Sequence, residues 1–161
     1  MRNEDVLHGH MRTHLMGASG GTAAFERVAH THGIPEVAAG LKAMAEEIKQ
    51  ERDWLREMMA DVGIEPSVIS RVASQGAEVV ARFRPSPRLI GRSDLMDVLE
   101  LEALYAAVVT KRNGWRLMRQ AARAGANLDL SQLDELERWA DSQLERLRDW
   151  HALTAATKFP A

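Results

Sequence analysis

The chain has 161 residues, of which 45% are apolar and 27% charged, and the charges nearly cancel to a net −2. That length suffices for one domain over residues 1–161, with a single core burying roughly 70% of the surface the unfolded chain exposes; the balanced charge excludes the basic footprint that neutralises phosphates, so no nucleic-acid partner is expected. Cysteine is absent, which excludes disulfides, thiolate metal ligands and cysteine nucleophiles and fits a cytoplasmic location.

Met1 to Asp5 is charged and lacks the apolar stretch of a signal peptide. Apolar or small residues at 7, 11, 18, 21, 25 and 28 recur at three-and-four spacing, which predicts a helix over 4–31 ended by Gly33 and Pro35. A second helix, over 35–62, opens with Pro35 and Glu36 and carries Val37, Leu41, Met44, Ile48, Leu55, Met58 and Val62; Gly63 closes it. A shorter helix over 66–84 has Val68, Ile69, Val72, Val79, Val80 and Phe83 on its apolar side, followed by a break from Pro85 to Gly91. Ser93 is read as the N-cap of a helix over 93–123. Its apolar run from Leu101 to Val109 is too short to span a bilayer and is interrupted by Glu102, so no membrane insertion is expected. Gly125 and Asn127 make a turn, and Ser131 starts the last helix, over 131–157, with Leu133, Leu136, Ala140, Leu144, Leu147 and Trp150 on one side.

Four helices of similar length, each roughly 40 Å at 1.5 Å per residue, should lie side by side. Short connections at 32–35 and 124–130 predict two antiparallel helical hairpins, with the interval 63–92 as a long crossover containing the shorter fifth helix. This all-α arrangement resembles the ferritin-like four-helix bundle over nearly the whole chain. The segments His14 to Gly21 (HLMGASGG), Glu46 to Arg52 (EEIKQER) and Leu99 to Leu104 (LELEAL) are also similar to uncharacterised bacterial ferritin-like proteins, for which no activity carries over.

Polar residues at stripe centres are the candidate chemistry: His14, Glu51, Glu102 and Gln143 interrupt the apolar faces of four different helices. A buried charge costs several kcal/mol unless it is paired or bound to metal. The di-metal pattern of the resembled bundles, one Glu from each of two helices and a Glu-x-x-His pair from each of the others, is incomplete: Lys49, Gln50 and Trp54 stand three residues after Glu46, Glu47 and Glu51. At most a reduced site for a divalent metal (iron, manganese or zinc) remains, with His14, Glu51 and Glu102 as ligands and His10 and Glu47 supplementary. The favoured expectation is a structural layer, Glu51 paired with His14 or Lys111 and completed by Gln143, with Glu102 displaced along the bundle towards His151. Helix register leaves open whether Glu47 or Glu51 faces the core.

His10 and His14, at i and i+4, share a helix face, while His8 points away and is expected in solvent. Gly17, Gly20 and Gly21, with Ala18 and Ala24, make a narrow face on a helix where each glycine costs about 1 kcal/mol relative to alanine. The expected reason is close approach of a bulky helix through Trp54 or Trp115; the other is a pocket beside His14 that admits a flat apolar ligand. Trp139, off the main stripe, is expected to anchor a homodimer contact. These readings favour a non-catalytic bundle that binds a protein partner or a small apolar ligand, with a metal-binding enzyme or oxidase as the alternative.

Overall fold

The computed structural model describes the backbone of residues 3–82 and 93–160, and side chains over 4–76 and 93–160. It contains five helices: α1 (Asn3–Thr31), α2 (Pro35–Asp61), α3 (Pro66–Arg82), α4 (Asp94–Arg123) and α5 (Leu130–Lys158). No strand is present among the described residues, and none of these helices is long and apolar enough to cross a membrane. The side chains of Val79, Val80 and Phe83 and the break from Pro85 to Gly91 fall outside the described residues.

The helix boundaries follow local chemistry. Gly63 and Gly125 adopt φ of +84° and +101°, the left-handed conformation that glycine supplies after a helix end. Ser93 is the N-cap of α4 by backbone conformation, though its hydroxyl caps no N–H. At α5 the cap is Asp129, not Ser131: its Oδ1 accepts from the backbone N–H of Ser131 (2.8 Å) and of Gln132 (3.2 Å). The carboxylate two residues earlier satisfies two of the free N–H groups that a serine hydroxyl inside the first turn cannot reach.

Side-chain contacts fix the directions. α1 and α2 run antiparallel, with His8 at the start of α1 meeting the Val62 carbonyl past the end of α2 (3.0 Å). α4 also runs antiparallel to α1, since Arg27 pairs with Glu100 near one end of α4 and His14 lies on Gly114 further along. α5 is antiparallel to both α4 and α2: Lys158 reaches Asp94, Arg119 reaches Asp134, and Trp150 packs on Gly40. α2 and α4 are therefore parallel. The connection between them includes α3, which climbs back along α1, so that Gly76 lies against the Met16 carbonyl and Ser19.

The four long helices enclose a core that includes Met11, Leu15, Phe25, Leu41, Met44, Leu55, Met59, Leu101, Met118, Leu133, Leu136 and Leu147, each at most 1% exposed. α3 adds Ile69 to this core from outside α1.

The structure changes two expectations, at His8 and Glu102, and adds a contact within the chain at Trp139. His8 is half-buried on the Val62 carbonyl and does not point into solvent, because the end of α2 lies beside the start of α1. Trp139 stacks within the chain on Trp54, ring centroids 5.1 Å apart and tilted 50°, because α2 and α5 meet along that seam. Glu102 is exposed and does not interrupt the buried stripe. The buried face of α4 is Asp97, Val98, Leu101, Leu104, Val108, Gly114, Trp115 and Met118, with Glu100 as its flanking carboxylate.

Candidate functional site: a polar layer beside a glycine-lined cavity

Midway along the bundle, α2, α4 and α5 each contribute a polar side chain to the interior. Glu51 is 1% exposed and forms an ion pair with Lys111. Gln143, fully buried, donates to Glu51 Oε1 (2.6 Å) and accepts from Lys111 Nζ (2.5 Å). The same Gln143 Nε2 also reaches Glu47 Oε2 (3.0 Å), which Arg146 holds through two hydrogen bonds of 2.9 and 2.7 Å. Glu51 thus faces the core, and Glu47 sits at its edge.

The side chains follow one another as Lys111, Glu51, Gln143, Glu47, Arg146, so each of the two carboxylates has a cation and an amide beside it. Burial pushes the Lys111 pKa down, and the Glu51 carboxylate opposes that shift. For Glu47, burial raises the carboxyl pKa, but the hydrogen bonds from Arg146 and Gln143 and the charges of Arg146 and Lys111 outweigh it, leaving a lowered value.

Beside this layer α1 and α4 part to leave a cavity of about 320 Å³, floored by Ile48 and Leu55 of α2. Its walls are Thr13, His14, Gly17, Ala18, Gly21 and Phe25 from α1 and Ala107, Val108, Thr110, Lys111 and Trp115 from α4. A Cβ added at Gly17 or Gly21 would meet no neighbouring atom within 4 Å. At these two positions the small-residue face borders open space and not a bulky helix, and both residues line the cavity.

Gly114 has the opposite role. A Cβ there would lie 2.2 Å from His14 Cε1, so glycine is what lets the imidazole rest on the α4 backbone. His10 stacks beside it, ring centroids 4.3 Å apart. Burial, and secondarily the charge of His10, lowers the His14 pKa to about 4. Burial lowers the His10 pKa too, opposed by a hydrogen bond with the Gly114 backbone. Near pH 7 His14 is therefore a neutral imidazole.

This lowered value sets the sign of an acid effect. Between pH 4 and 6.5 the unfolded chain binds a proton at His14 that the folded chain does not, so stability rises with pH across that window and the contribution is lost below about pH 4. The shift corresponds to at most about 3 kcal/mol, and solvent at the half-exposed ring reduces this to about 1–2 kcal/mol. Urea unfolding at pH 4.5 and 7.5 should show His14→Phe losing less stability on acidification than the wild type. Equal losses would place the His14 titration outside folding.

His14 and the layer of Glu51 and Gln143 thus lie at the common level expected of them, and Lys111 both lines the cavity and joins the layer. Glu102 does not join them. It pairs with His151 at 3.1 Å, 54% exposed, nine residues along α4 from Lys111, or roughly 13 Å at 1.5 Å per residue. Among the described residues no group of three or more His, Asp or Glu side chains gathers within reach of one ion.

Several buried carboxylates went unread in the sequence. Asp97, 2% exposed, accepts from the Gly33 N–H (3.2 Å) and lies 3.5 Å from Lys158; Glu100 pairs with Arg27, and Glu137 with Arg116 and Arg119. The partners come mostly from other helices, and only the basic residues at 116 and 119, facing Glu137 across a short hairpin, offered a sequence signal. No family model, curated protein or solved structure matches the chain.

Proposed function

We propose that this chain is a ferritin-like helical bundle that binds a small, largely apolar molecule in the α1–α4 cavity and carries out no chemistry of its own. The observation that carries this reading is the pair Gly17 and Gly21: two residues unfavourable in a helix, side by side, where larger side chains have room. What offsets their cost is the space they leave, and that space is walled mainly by aliphatic and aromatic groups. In the polar layer Lys111 supplies the positive charge that a bound cation would otherwise bring to Glu51.

The test uses N-phenyl-1-naphthylamine, a neutral apolar dye whose emission rises out of water. Saturable binding at one dye per chain is expected for the wild type. Gly17→Leu/Gly21→Leu fills the cavity and should abolish binding while the circular dichroism of the helices is retained. Undiminished binding by the filled variant would sink the assignment. So would stoichiometric iron, manganese or zinc in tag-free protein that disappears in a His14→Ala/Glu51→Ala variant, which would favour the metal-binding alternative.

A further inference from the structure

The hydrogen bonds of the cavity wall are unevenly satisfied. Thr13 donates to the Gly9 carbonyl (3.0 Å) and Thr110 to the Ala106 carbonyl (3.1 Å), so both hydroxyl protons are engaged within their own helices. Lys111 is held by Glu51 and Gln143. The unpartnered group in the described cavity wall is a ring nitrogen next to Gly114. Trp115 is 3% exposed and its indole N–H has no acceptor among the described residues. His14, half-exposed in the cavity wall, makes no hydrogen bond to a described side chain or backbone group through its imidazole. A buried donor without an acceptor is unfavourable, and native interiors rarely leave one so. The Trp115 indole N–H, in the cavity wall next to Gly114 and the His14 ring, marks where a ligand oxygen is wanted.

The charges bear on the ligand as well. Lys111 is offset by Glu51 and Arg146 by Glu47, so the layer beside the cavity has no uncompensated charge to receive an ionic group. The neutral state of His14 points the same way. A carboxylate or ammonium entering here would lose its hydration without gaining a counter-ion.

We infer that the ligand is a neutral, planar, largely apolar molecule bearing one hydroxyl or carbonyl oxygen, bound with its apolar body along Gly17, Ala18, Gly21 and Phe25 and its oxygen at the His14 end. This rests on the ligand-binding reading above and adds the chemical class. His14 is the recognition residue: a neutral imidazole accepts from a hydroxyl through one nitrogen or donates to a carbonyl through the other. Gly114 is the positioning residue, because without its missing side chain the imidazole loses its seat on α4.

Three probes separate the elements of the proposal by calorimetric titration: 2-naphthol, 2-methylnaphthalene and 2-naphthoate. The wild type should bind 2-naphthol about tenfold more tightly than 2-methylnaphthalene, the ratio that one hydrogen bond to a buried partner supplies, and should bind 2-naphthoate most weakly. His14→Phe retains a flat ring over Gly114 and should bring the first two affinities to within about threefold. As a readout free of substitution, 2-naphthol but not 2-methylnaphthalene should shift the His14 imidazole nitrogen resonances of the wild type.

Equal affinities for 2-naphthol and 2-methylnaphthalene in the wild type would overturn the class while leaving the cavity a ligand site. Tighter binding of 2-naphthoate would overturn its neutrality. Failure of all three to bind, together with failure of the dye, would overturn the binding reading itself.

Discussion

Replacing Glu51 with alanine is expected to destabilise the protein by about 3–5 kcal/mol, the usual cost of leaving one member of a buried ion pair alone. Lys111 would keep its place between α2 and α5 without its carboxylate, and Gln143 would lose its 2.6 Å acceptor. The loss has a pH signature. Burial already lowers the Lys111 pKa and only Glu51 and Glu47 oppose this, so removing Glu51 lowers it further. In the alkaline range between that folded value and the unfolded value near 10.5, the folded chain sheds a proton that the unfolded chain retains, so the deficit of the variant should shrink as pH rises.

Pairing the change with Lys111→Met removes the stranded charge, and the double variant Glu51→Met/Lys111→Met should recover most of the loss. Chemical denaturation of the three proteins at pH 7 and pH 9.5 measures both effects. A Glu51→Ala protein as stable as the wild type would mean that water reaches this layer freely. The layer therefore serves mainly to fix how α2, α4 and α5 face one another, since an apolar replacement of both partners is expected to fold nearly as well.

Alanine at Gly76 and alanine at Gly21 should have opposite effects although both positions are helical. At Gly76 the new Cβ would lie 2.2 Å from the Met16 carbonyl oxygen and 3.0 Å from Ser19 Cβ, so α3 must move away from α1. Overpacking of this kind costs about 1–3 kcal/mol, and here backbone must yield, which places the effect in the upper part of that range. At Gly21 no neighbour is within 4 Å, and the better helix propensity of alanine should stabilise by up to about 1 kcal/mol. Melting temperatures of the two single variants, read beside the wild type, give the comparison. A fall for Gly21→Ala would mean that something in solution occupies the space beside it.

The helices were legible because their apolar spacing, prolines and glycines act locally. The layer was legible in part for the same reason: Glu51 and Gln143 interrupt apolar stripes, and Lys111 falls at their level once the helices are antiparallel. Glu102 misled because α4 is rotated so that Leu101 and Leu104 face inward while 102 points to solvent beside His151. A rotation about the helix axis is set by packing against α1 and α5 and is not written in one helix. Asp97 and Glu100 were missed for a related reason, since Lys158 and Arg27 approach them from distant parts of the chain. The cavity was read only as the second of two explanations for Gly17 and Gly21, because whether a small residue admits a neighbouring helix or leaves a void depends on how far that neighbour stands away.

The Trp54–Trp139 stack gives the bundle an optical signature. Two indoles 5.1 Å apart and inclined at 50° have transition dipoles close enough to couple and sufficiently non-parallel to give a paired positive and negative band in circular dichroism. That band reports the docking of α2 against α5 separately from total helix content. Trp115, buried in the cavity wall, contributes to the emission, and comparison with Trp115→Phe isolates its share. One protein without attached dyes can therefore show, at different wavelengths, whether its hairpins have joined and whether its cavity has been filled.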